Sequence, residues 1–308
     1  MHSKVAVIGG GLMGAGLAQV FAENGCDVSL YEPIDDARDT VLARIAENIR
    51  QIGGDVAAVD KVSVSDDLEA VVTSATYVTE AAPEKLELKR SMFADLERYA
   101  PRDAILASNT SVIPITRITN ELETAERMIG THWWNPPYLL PLVEVVQAER
   151  TSPETVEATM AFLRQLGKEP AHVKKDVPGF VANRMQHALW REAIAMVAEG
   201  ICDAETVDRC VKNSFGLRLA VLGPLENADL AGLDLTLDIH ETIIPELDRS
   251  AGPNPYLKEQ VEEGRLGFKT GQGFMVWTEE EQAAVRKRLA THLVKALRER
   301  QTTDSGDV

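Results

Sequence analysis

The sequence predicts an α/β fold, with a doubly wound parallel sheet in its first half and an all-α domain in its second half. Before residue 174, short apolar runs alternate with amphipathic segments of helix length, which is typical of a parallel sheet covered by helices. Beyond Pro178-Gly179, the apolar positions follow helical spacing throughout. We therefore predict one domain at residues 1–177 and a second at residues 178–308.

The chain opens on a strand, a glycine-rich turn and a helix. The apolar run 5–8 is followed by Gly-Gly-Gly-Leu-Met-Gly at positions 9–14 and then by a helical segment. In this pattern Gly9 makes the tight turn, Gly11 lets the backbone approach a pyrophosphate, and Gly14 lets the helix pack on its strand. The phosphates then meet free N–H groups at the start of the helix. This Rossmann-type turn predicts dinucleotide contacts at Gly9, Gly11, Leu12, Met13 and Gly14.

An acidic residue closes the second predicted strand. Glu32 directly follows the apolar run 28–31. The strand, the glycine turn, the helix, the second strand and the carboxylate therefore occur in the order expected of a dinucleotide-binding unit. A carboxylate at that place accepts hydrogen bonds from both ribose hydroxyls of the adenosine and repels a 2′-phosphate. The predicted cofactor is therefore NAD rather than NADP. The alternative is a glycine-rich turn that holds no ligand.

The later strands are predicted from short apolar runs, and the later helices from apolar residues at helical spacing. Further strands are predicted at 75–78, 105–107, 128–130, 139–146 and 170–173. Helices are predicted at 12–24, 35–52, 85–99, 153–167, 180–199, 204–214, 235–247 and 279–300.

Composition narrows the class of protein. The net charge of −16 speaks against nucleic acid or an anionic membrane as a partner, because both need a basic patch. The three cysteines, Cys26, Cys202 and Cys210, have neither disulfide pairing nor metal-ligand spacing, which fits a reducing compartment. The first strand begins by residue 4, which leaves no room for a signal peptide, and no apolar run has the length of a membrane span. We expect a cytoplasmic protein without a metal.

Two ionisable residues stand out as candidates for proton transfer. His132 ends the run 128–131, where a strand gives way to a loop, and ligands of open α/β sheets collect at such strand ends. Glu144 lies inside the apolar run 139–146, one loop away. A buried carboxylate has to be paired, and pairing with His132 would fix the imidazole tautomer. The alternatives are a packed structural histidine and a solvent-facing glutamate on an edge strand.

Two further groups of polar residues lie at the end of a predicted strand and at the start of a predicted helix. Ser108-Asn109-Thr110-Ser111 follows the run 105–107, so its hydroxyls could hold a substrate oxygen or the nicotinamide side of a cofactor. A helix N-cap is the alternative role for such a cluster. Asn183 falls in the first turns of the helix that opens the second domain. Its side-chain amide could donate a hydrogen bond to a substrate carbonyl, or it could face water.

With these residues assembled, the chain resembles the L-3-hydroxyacyl-CoA dehydrogenase family nearly from end to end. The matching stretches are 5–14, 80–89, 107–111, 130–136, 141–146, 176–184 and 266–274. The resemblance implies that His132 is the general base in the oxidative direction, that Glu144 orients it, and that Ser108 and Asn183 position the substrate oxygen. It implies a homodimer as well. The cofactor contacts that it implies are Glu84, Lys89, Ser108, Asn135 and Lys269.

Two departures from the fatty-acid members of the family leave the substrate class undecided. Residues 35–61 are short and carry only four cations, which weakens the case for a CoA thioester. Bulky residues at 133–138 beside the histidine favour a compact or aromatic substrate. This region is similar to pyridine-carboxylate, carnitine and gulonate dehydrogenases of the wider superfamily. The candidates are a 3-hydroxyacyl-CoA, a small free hydroxy acid or alcohol, and a non-catalytic NAD-binding protein.

Overall fold

The computed structural model describes residues 3–304, in which eight strands form one sheet. The spatial order is β3-β2-β1-β4-β5-β6-β7-β8, and all neighbouring strands are parallel except β6 and β7. The order reverses beside β1, so the carboxyl ends of β1 and β4 open the crevice in which such sheets bind ligands. The strands are β1 (Lys4–Ile8), β2 (Asp27–Tyr31), β3 (Val62–Ser65), β4 (Tyr77–Glu80), β5 (Ile105–Ser108), β6 (Met128–Trp133), β7 (Leu142–Val146) and β8 (Glu169–Val173).

Helices cover both faces of this sheet. One apolar layer contains residues of α1, α2 and α6, and the other contains residues of α3, α4 and α5. The predicted doubly wound sheet followed by helices is therefore confirmed. The helices are α1 (Leu12–Glu23), α2 (Asp35–Ile52), α3 (Leu68–Val72), α4 (Leu86–Tyr99), α5 (Ile115–Thr119), α6 (Pro153–Gln165), α7 (Ala182–Ala198), α8 (Ala204–Lys212), α9 (Pro224–Ala231), α10 (Leu233–Ile243), α11 (Pro255–Glu262) and α12 (Glu279–Asp304).

Strand alternation places the polar residues at the strand ends. Val78 and Leu106 face the layer of α3, α4 and α5, so Glu80 and Ser108, two residues further on, face the same side. Met128 of β6 faces that layer too, and His132 follows it by an even number of residues. The sheet therefore presents these polar side chains on one face near its carboxyl edge.

Several elements differ from the prediction. The sheet is not wholly parallel, because β7 runs antiparallel to β6 after a loop of eight residues, 134–141, that is too short for a helical crossover. β3, α3, α5, α9 and α11 were not predicted. They are short, so their periodicity is weak. β4 begins two residues later than predicted and includes Glu80, which the structure buries.

The described residues form two compact units. One comprises residues 3–183 and 291–304, and the other comprises Arg184–Ala290. The second unit contains α8 to α11, most of α7 and the start of α12. The predicted boundary between residues 177 and 178 stays a prediction. None of the helices within residues 3–304 has both the length and the apolar character needed to cross a bilayer.

Candidate active site

The glycine turn between β1 and α1 has the geometry of a dinucleotide-binding loop. Gly9 has a φ of +103°, which a side chain would strain. A Cβ atom on Gly14 would lie 1.7 Å from the carbonyl oxygen of Gly9, so α1 can approach β1 only without a side chain there. No side chain caps the start of α1 at Leu12, and a Cβ on Gly11 would meet no atom within 4 Å. Open N–H groups and an unobstructed turn fit a pyrophosphate.

Glu32 lies beside this turn, at the end of β2, and is buried. Its Oε2 accepts a hydrogen bond from the Gly10 N–H at 2.7 Å, and its Oε1 accepts one from the Ile34 N–H at 3.0 Å. Each carboxylate oxygen retains a second lone pair, so the group can still accept bonds from ribose hydroxyls. The carboxylate and the turn thus form one preorganised site that fits the adenosine end of NAD.

His132 and Glu144 face each other across the antiparallel pair β6–β7. They are register partners, and Nδ1 of His132 lies 2.8 Å from Oε2 of Glu144. Both side chains are buried, and Glu144 is 1% exposed in a strand flanked on both sides. The solvent-facing position on an edge strand that the sequence left open is therefore excluded. Because the carboxylate accepts, Nδ1 carries the proton, and Nε2 is the ring nitrogen left to accept one.

The second oxygen of Glu144 is bound as well. Its Oε1 accepts the N–H groups of Val181 and Ala182, at 2.9 and 3.0 Å, where α7 begins. Burial alone would raise the pKa of Glu144. The hydrogen bond from His132 and the two backbone N–H groups outweigh burial, so the pKa of this carboxyl lies below its ordinary value. The charge that orients the histidine is therefore stable inside the protein.

Aromatic rings flank the imidazole. The ring centroids of Trp134 and Phe180 lie 5.5 and 5.7 Å from that of His132. Trp133 points to the opposite face of the sheet, where it packs edge-on against Phe21 with 5.9 Å between centroids. The expectation that both tryptophans crowd the histidine is wrong for Trp133, because consecutive strand residues alternate between faces.

A buried ionic cluster joins the ends of β4 and β5. Oε2 of Glu80 accepts the hydroxyl of Ser108 at 2.6 Å, and Oε1 accepts Nζ of Lys89 at 2.6 Å and the N–H of Ala82 at 2.7 Å. Lys89 is 1% exposed and also donates to the carbonyl of Ala82. Sequence reasoning missed Glu80 as a site residue. The signal was available, because this acid ends an apolar strand as Glu32 does.

Glu84 connects this cluster to the loop after β5. Its Oε1 accepts the hydroxyl of Thr110 and the N–H groups of Ser111 and Val112, the latter two at 3.0 and 3.1 Å. Burial opposes ionisation, but these bonds and the nearby Lys89 lower the pKa of Glu84 below its ordinary value. The predicted cofactor residues Glu84 and Lys89 therefore hold loop backbone in this structure.

The remaining predicted residues occupy three different places. Nδ2 of Asn183 donates to the carbonyl of Ser111 at 3.2 Å, which joins the start of α7 to the loop after β5. Asn135 is exposed on the loop after β6, and a cis peptide bond follows it. Lys269 is exposed in the second unit, between α11 and α12. The structure thus brings Ser108, His132, Glu144 and Asn183 into one polar region of the first unit.

Comparison with known proteins gives two family matches that together span most of the chain. The NAD binding domain of 3-hydroxyacyl-CoA dehydrogenase matches residues 4–177, and the C-terminal domain of the same enzyme matches residues 179–277.

Relatives match along nearly the whole length. The chain is 35% identical over 303 residues to 5-formyl-3-hydroxy-2-methylpyridine 4-carboxylate 5-dehydrogenase of Mesorhizobium japonicum, covering 97% of this chain and 98% of the relative. It is 38% identical over 285 residues to a probable 3-hydroxybutyryl-CoA dehydrogenase of Bacillus subtilis, covering 90% and 98%. A crystal structure of the pyridine-carboxylate enzyme, described as an NAD+ dependent dismutase, superposes with a TM-score of 0.89 at 34% identity, covering 97% and 98%.

The glycine turn, the buried acid beside it and the matches at both ends of the chain point to the same class of protein. NAD is the cofactor of this class. The chain belongs to the 3-hydroxyacyl-CoA dehydrogenase family, and it is an NAD-dependent oxidoreductase that acts on CH–OH donors.

Proposed function

We propose that this protein oxidises the secondary alcohol of an L-3-hydroxyacyl compound to the 3-oxo product, with His132 as the general base and Glu144 as its orienting partner. The observation that carries the proposal is the buried contact of 2.8 Å between Nδ1 of His132 and Oε2 of Glu144. Both residues lie on the sheet whose first turn fits the dinucleotide. A histidine held in one tautomer by a carboxylate is the arrangement that hydroxyl deprotonation needs.

The protein's own residues move the proton. Nε2 of His132 takes the hydroxyl proton while hydride leaves the carbon that bears this hydroxyl. NAD, when bound, supplies the acceptor for that hydride. The imidazolium that forms lies against the Glu144 carboxylate, so the positive charge is stabilised where it develops. In the reductive direction the same nitrogen returns the proton to the carbonyl oxygen.

Ser108 and Asn183 have different hydrogen-bonding capacities toward a substrate oxygen. Ser108 gives its single hydroxyl hydrogen to Glu80, and its oxygen accepts the N–H of Thr110 at 3.3 Å, so one lone pair is left. The amide nitrogen of Asn183 carries two hydrogens, and one goes to Ser111. We propose that Asn183 donates its second amide hydrogen to the substrate oxygen in both directions. The hydroxyl hydrogen of the alcohol goes to His132, so Ser108 would position the same oxygen only by turning its own hydroxyl hydrogen from Glu80 toward it. Glu84 and Lys89 would act on NAD through the loops that they hold, and Asn135 by direct contact. The role of Lys269 toward NAD stays a prediction from the family resemblance.

A small free hydroxy acid is the second candidate substrate, and the cations of α2 favour it. Arg38 binds the carbonyl of Glu32 and pairs with Asp35, while Arg44 binds the carbonyl of Gly10 at 3.1 Å. Arg50 lies 3.5 Å from Glu47. The carboxylates beside Arg38 and Arg50 offset their charges, and the carbonyl bound to Arg44 occupies part of its guanidinium, so α2 attracts the phosphates of CoA less than free cations would. The name of the pyridine-carboxylate relative also describes a substrate without CoA.

We further propose that the protein is a cytoplasmic homodimer. All three cysteines are free thiols, which fits a reducing compartment. Large apolar side chains are exposed on α9 and α10 of the second unit, with Leu225 81% exposed and Leu230 73% exposed. Apolar surface of this kind is typical of a protein interface, and a second copy of the chain would cover it.

The test combines a substrate panel with two histidine variants. Purified protein is mixed with NAD and with 3-hydroxybutyryl-CoA, 3-hydroxybutyrate, carnitine or gulonate, and the absorbance of the reduced cofactor is followed. His132→Ala should lower kcat by about 10²- to 10⁴-fold on the best substrate, the contribution expected of a general base. NAD affinity, measured by fluorescence titration, should stay unchanged. His172→Ala is the matched control, because His172 is an exposed histidine on β8.

The possible results separate the hypotheses. Turnover on the CoA thioester alone supports the first candidate substrate, and turnover on a free acid supports the second. Activity that survives His132→Ala, or NAD affinity that falls in parallel with activity in the folded variant, contradicts the role of His132. Tight NAD binding without turnover on any substrate favours a non-catalytic NAD-binding protein.

A further inference from the structure

Two successive residues before α7 have left-handed backbone. Gly179 has a φ of +75° and Phe180 a φ of +49°, and Phe180 is the one non-glycine residue within 3–304 that has a positive φ. An aromatic residue rarely takes this conformation, because its Cβ crowds the neighbouring carbonyl. Strain of this kind persists only where the surroundings hold it, and it is common at functional sites.

The side chain explains how the conformation is held. The ring of Phe180 is buried, and it belongs to a small apolar cluster with Ile115, Val146, Ala148 and Val173. One side of the ring faces the imidazole of His132, with 5.7 Å between centroids. Packing therefore anchors the residue while its backbone turns the chain into α7.

The backbone explains what the conformation achieves. The two N–H groups that directly follow Phe180, those of Val181 and Ala182, converge on Oε1 of Glu144 at 2.9 and 3.0 Å. Consecutive N–H groups after a left-handed residue form a concave site for an anion. Among the described side chains, His132 from β6 is the titratable group that hydrogen-bonds to Glu144, and β8 brings Ala171 opposite it. Backbone donors therefore provide two of the three hydrogen bonds that this buried carboxylate accepts from the described residues.

We propose that Phe180 is a positioning residue whose left-handed backbone aims two N–H groups at Glu144 and so holds the carboxylate that orients His132. The proposal rests on the proposed role of His132 as the base. It assigns to a residue outside the proton path a measurable effect on the charge state of Glu144. A purely structural role for Phe180 predicts a loss of stability without that effect.

Phe180→Gly and Phe180→Ala form the test pair. Both remove the ring, but glycine adopts positive φ without strain, whereas alanine favours a relaxed backbone that withdraws the N–H groups. The first readout does not need activity: ¹³C-NMR pH titration of glutamate-labelled protein, with Glu144 assigned by comparison with Glu144→Gln. We expect Glu144 in Phe180→Ala to titrate about one pH unit higher than in Phe180→Gly, as for the loss of a hydrogen bond to a charged group.

The second readout is the pH profile of kcat/KM. Its acidic limb should move to higher pH in Phe180→Ala relative to Phe180→Gly, and at pH values below both titration midpoints of Glu144 kcat/KM should be about tenfold lower, because one pH unit is a factor of ten in the ionised fraction. In the Glu144→Gln background the two variants should have the same profile. Ala182→Pro is the second test should Phe180→Ala not fold, because it removes one N–H donor at the helix position that tolerates proline. It should also raise the titration midpoint.

The outcomes are separable. Equal titration midpoints of Glu144 in the glycine and alanine variants, or an unchanged midpoint in Ala182→Pro, overturn the proposal. A higher midpoint in the alanine variant supports it even where the wild type turns over no substrate of the panel, and that second result contradicts the proposed function instead.

Discussion

Backbone N–H groups stabilise the buried carboxylates of this protein. Glu32 accepts two of them, Glu144 accepts two, and Glu80 accepts one in addition to the ammonium of Lys89. A buried charge without such partners would cost several kcal/mol. Because the pKa of Glu144 is lowered, its ionised form adds stability above the ordinary titration range of glutamate. That stability is lost as the pH falls through the lowered pKa.

The position of Glu32 beside the glycine turn predicts how its removal changes cofactor choice. Glu32→Ala removes the group that would repel a 2′-phosphate, so the ratio of kcat/KM for NADP to that for NAD should rise by about tenfold or more. It also leaves the N–H groups of Gly10 and Ile34 without their acceptor, so the affinity for NAD should fall as well. Steady-state kinetics with both cofactors measures the two effects.

Asp36→Ala is the matched control for this variant, because Asp36 is an exposed acid in the first turn of α2. It should leave the cofactor ratio unchanged. An unchanged ratio in Glu32→Ala as well would mean that another group reads the ribose.

At the scale of elements, side chains tie adjacent strand ends to one another. Glu80 joins β4 to β5 through Ser108, and Oδ1 of Asn109 accepts the N–H of Trp133 at the end of β6 at 2.9 Å. Glu84 then fixes the loop after β5. The loops at the carboxyl edge are therefore built as one connected polar layer, which holds a site more precisely than independent loops would.

The ion pair between Glu80 and Lys89 gives a prediction for this layer. Lys89→Met leaves the carboxylate buried without its cation, so the free energy of unfolding should fall by about 3–5 kcal/mol. In the double variant Glu80→Gln/Lys89→Met, much of that loss should be recovered, since neither charge remains. Urea denaturation followed by circular dichroism measures both values.

A second ion pair on α4 provides the control. Arg90 lies 3.5 Å from Glu87, and both side chains are more exposed than the buried pair. Glu87→Gln should change the free energy of unfolding by no more than about 1 kcal/mol. A double variant of Glu80 and Lys89 as unstable as the single one would show that hydrogen bonding to Ser108, not charge pairing, dominates this cluster.

The sequence pattern predicted the elements whose signal is local. The glycine spacing at 9–14 identified β1 and α1, because each glycine meets a steric requirement within a few residues. The contact between His132 and Glu144 was also predictable, since a carboxylate in an apolar strand needs a partner. The antiparallel β7, the packing of Trp133 and the N–H donors at α7 were not predictable, because they depend on strand register and on residues distant in sequence.

At the scale of the whole molecule, net charge and exposed apolar surface have opposite effects on the association of two copies of the chain. The net charge of −16 keeps copies of the chain apart through long-range repulsion, which salt screens. The exposed apolar side chains of α9 and α10 favour association at short range. Burial of this apolar surface can exceed the repulsion at physiological salt, where charges further apart than about 8 Å are largely screened.

This balance predicts how the molecule sediments. The wild type should have a mass of twice the 33.7 kDa chain at physiological salt, measured by analytical ultracentrifugation. Leu230→Glu and Leu237→Glu place a charge within the apolar surface of α9 and α10 and should shift the protein to monomer by weakening association at least about tenfold. Leu88→Glu, at an exposed position of α4 in the first unit, is the control and should remain dimeric. A monomeric wild type, or dimers in both α9 and α10 variants, would contradict this interface, because burying a glutamate against an apolar surface of a second copy costs several kcal/mol.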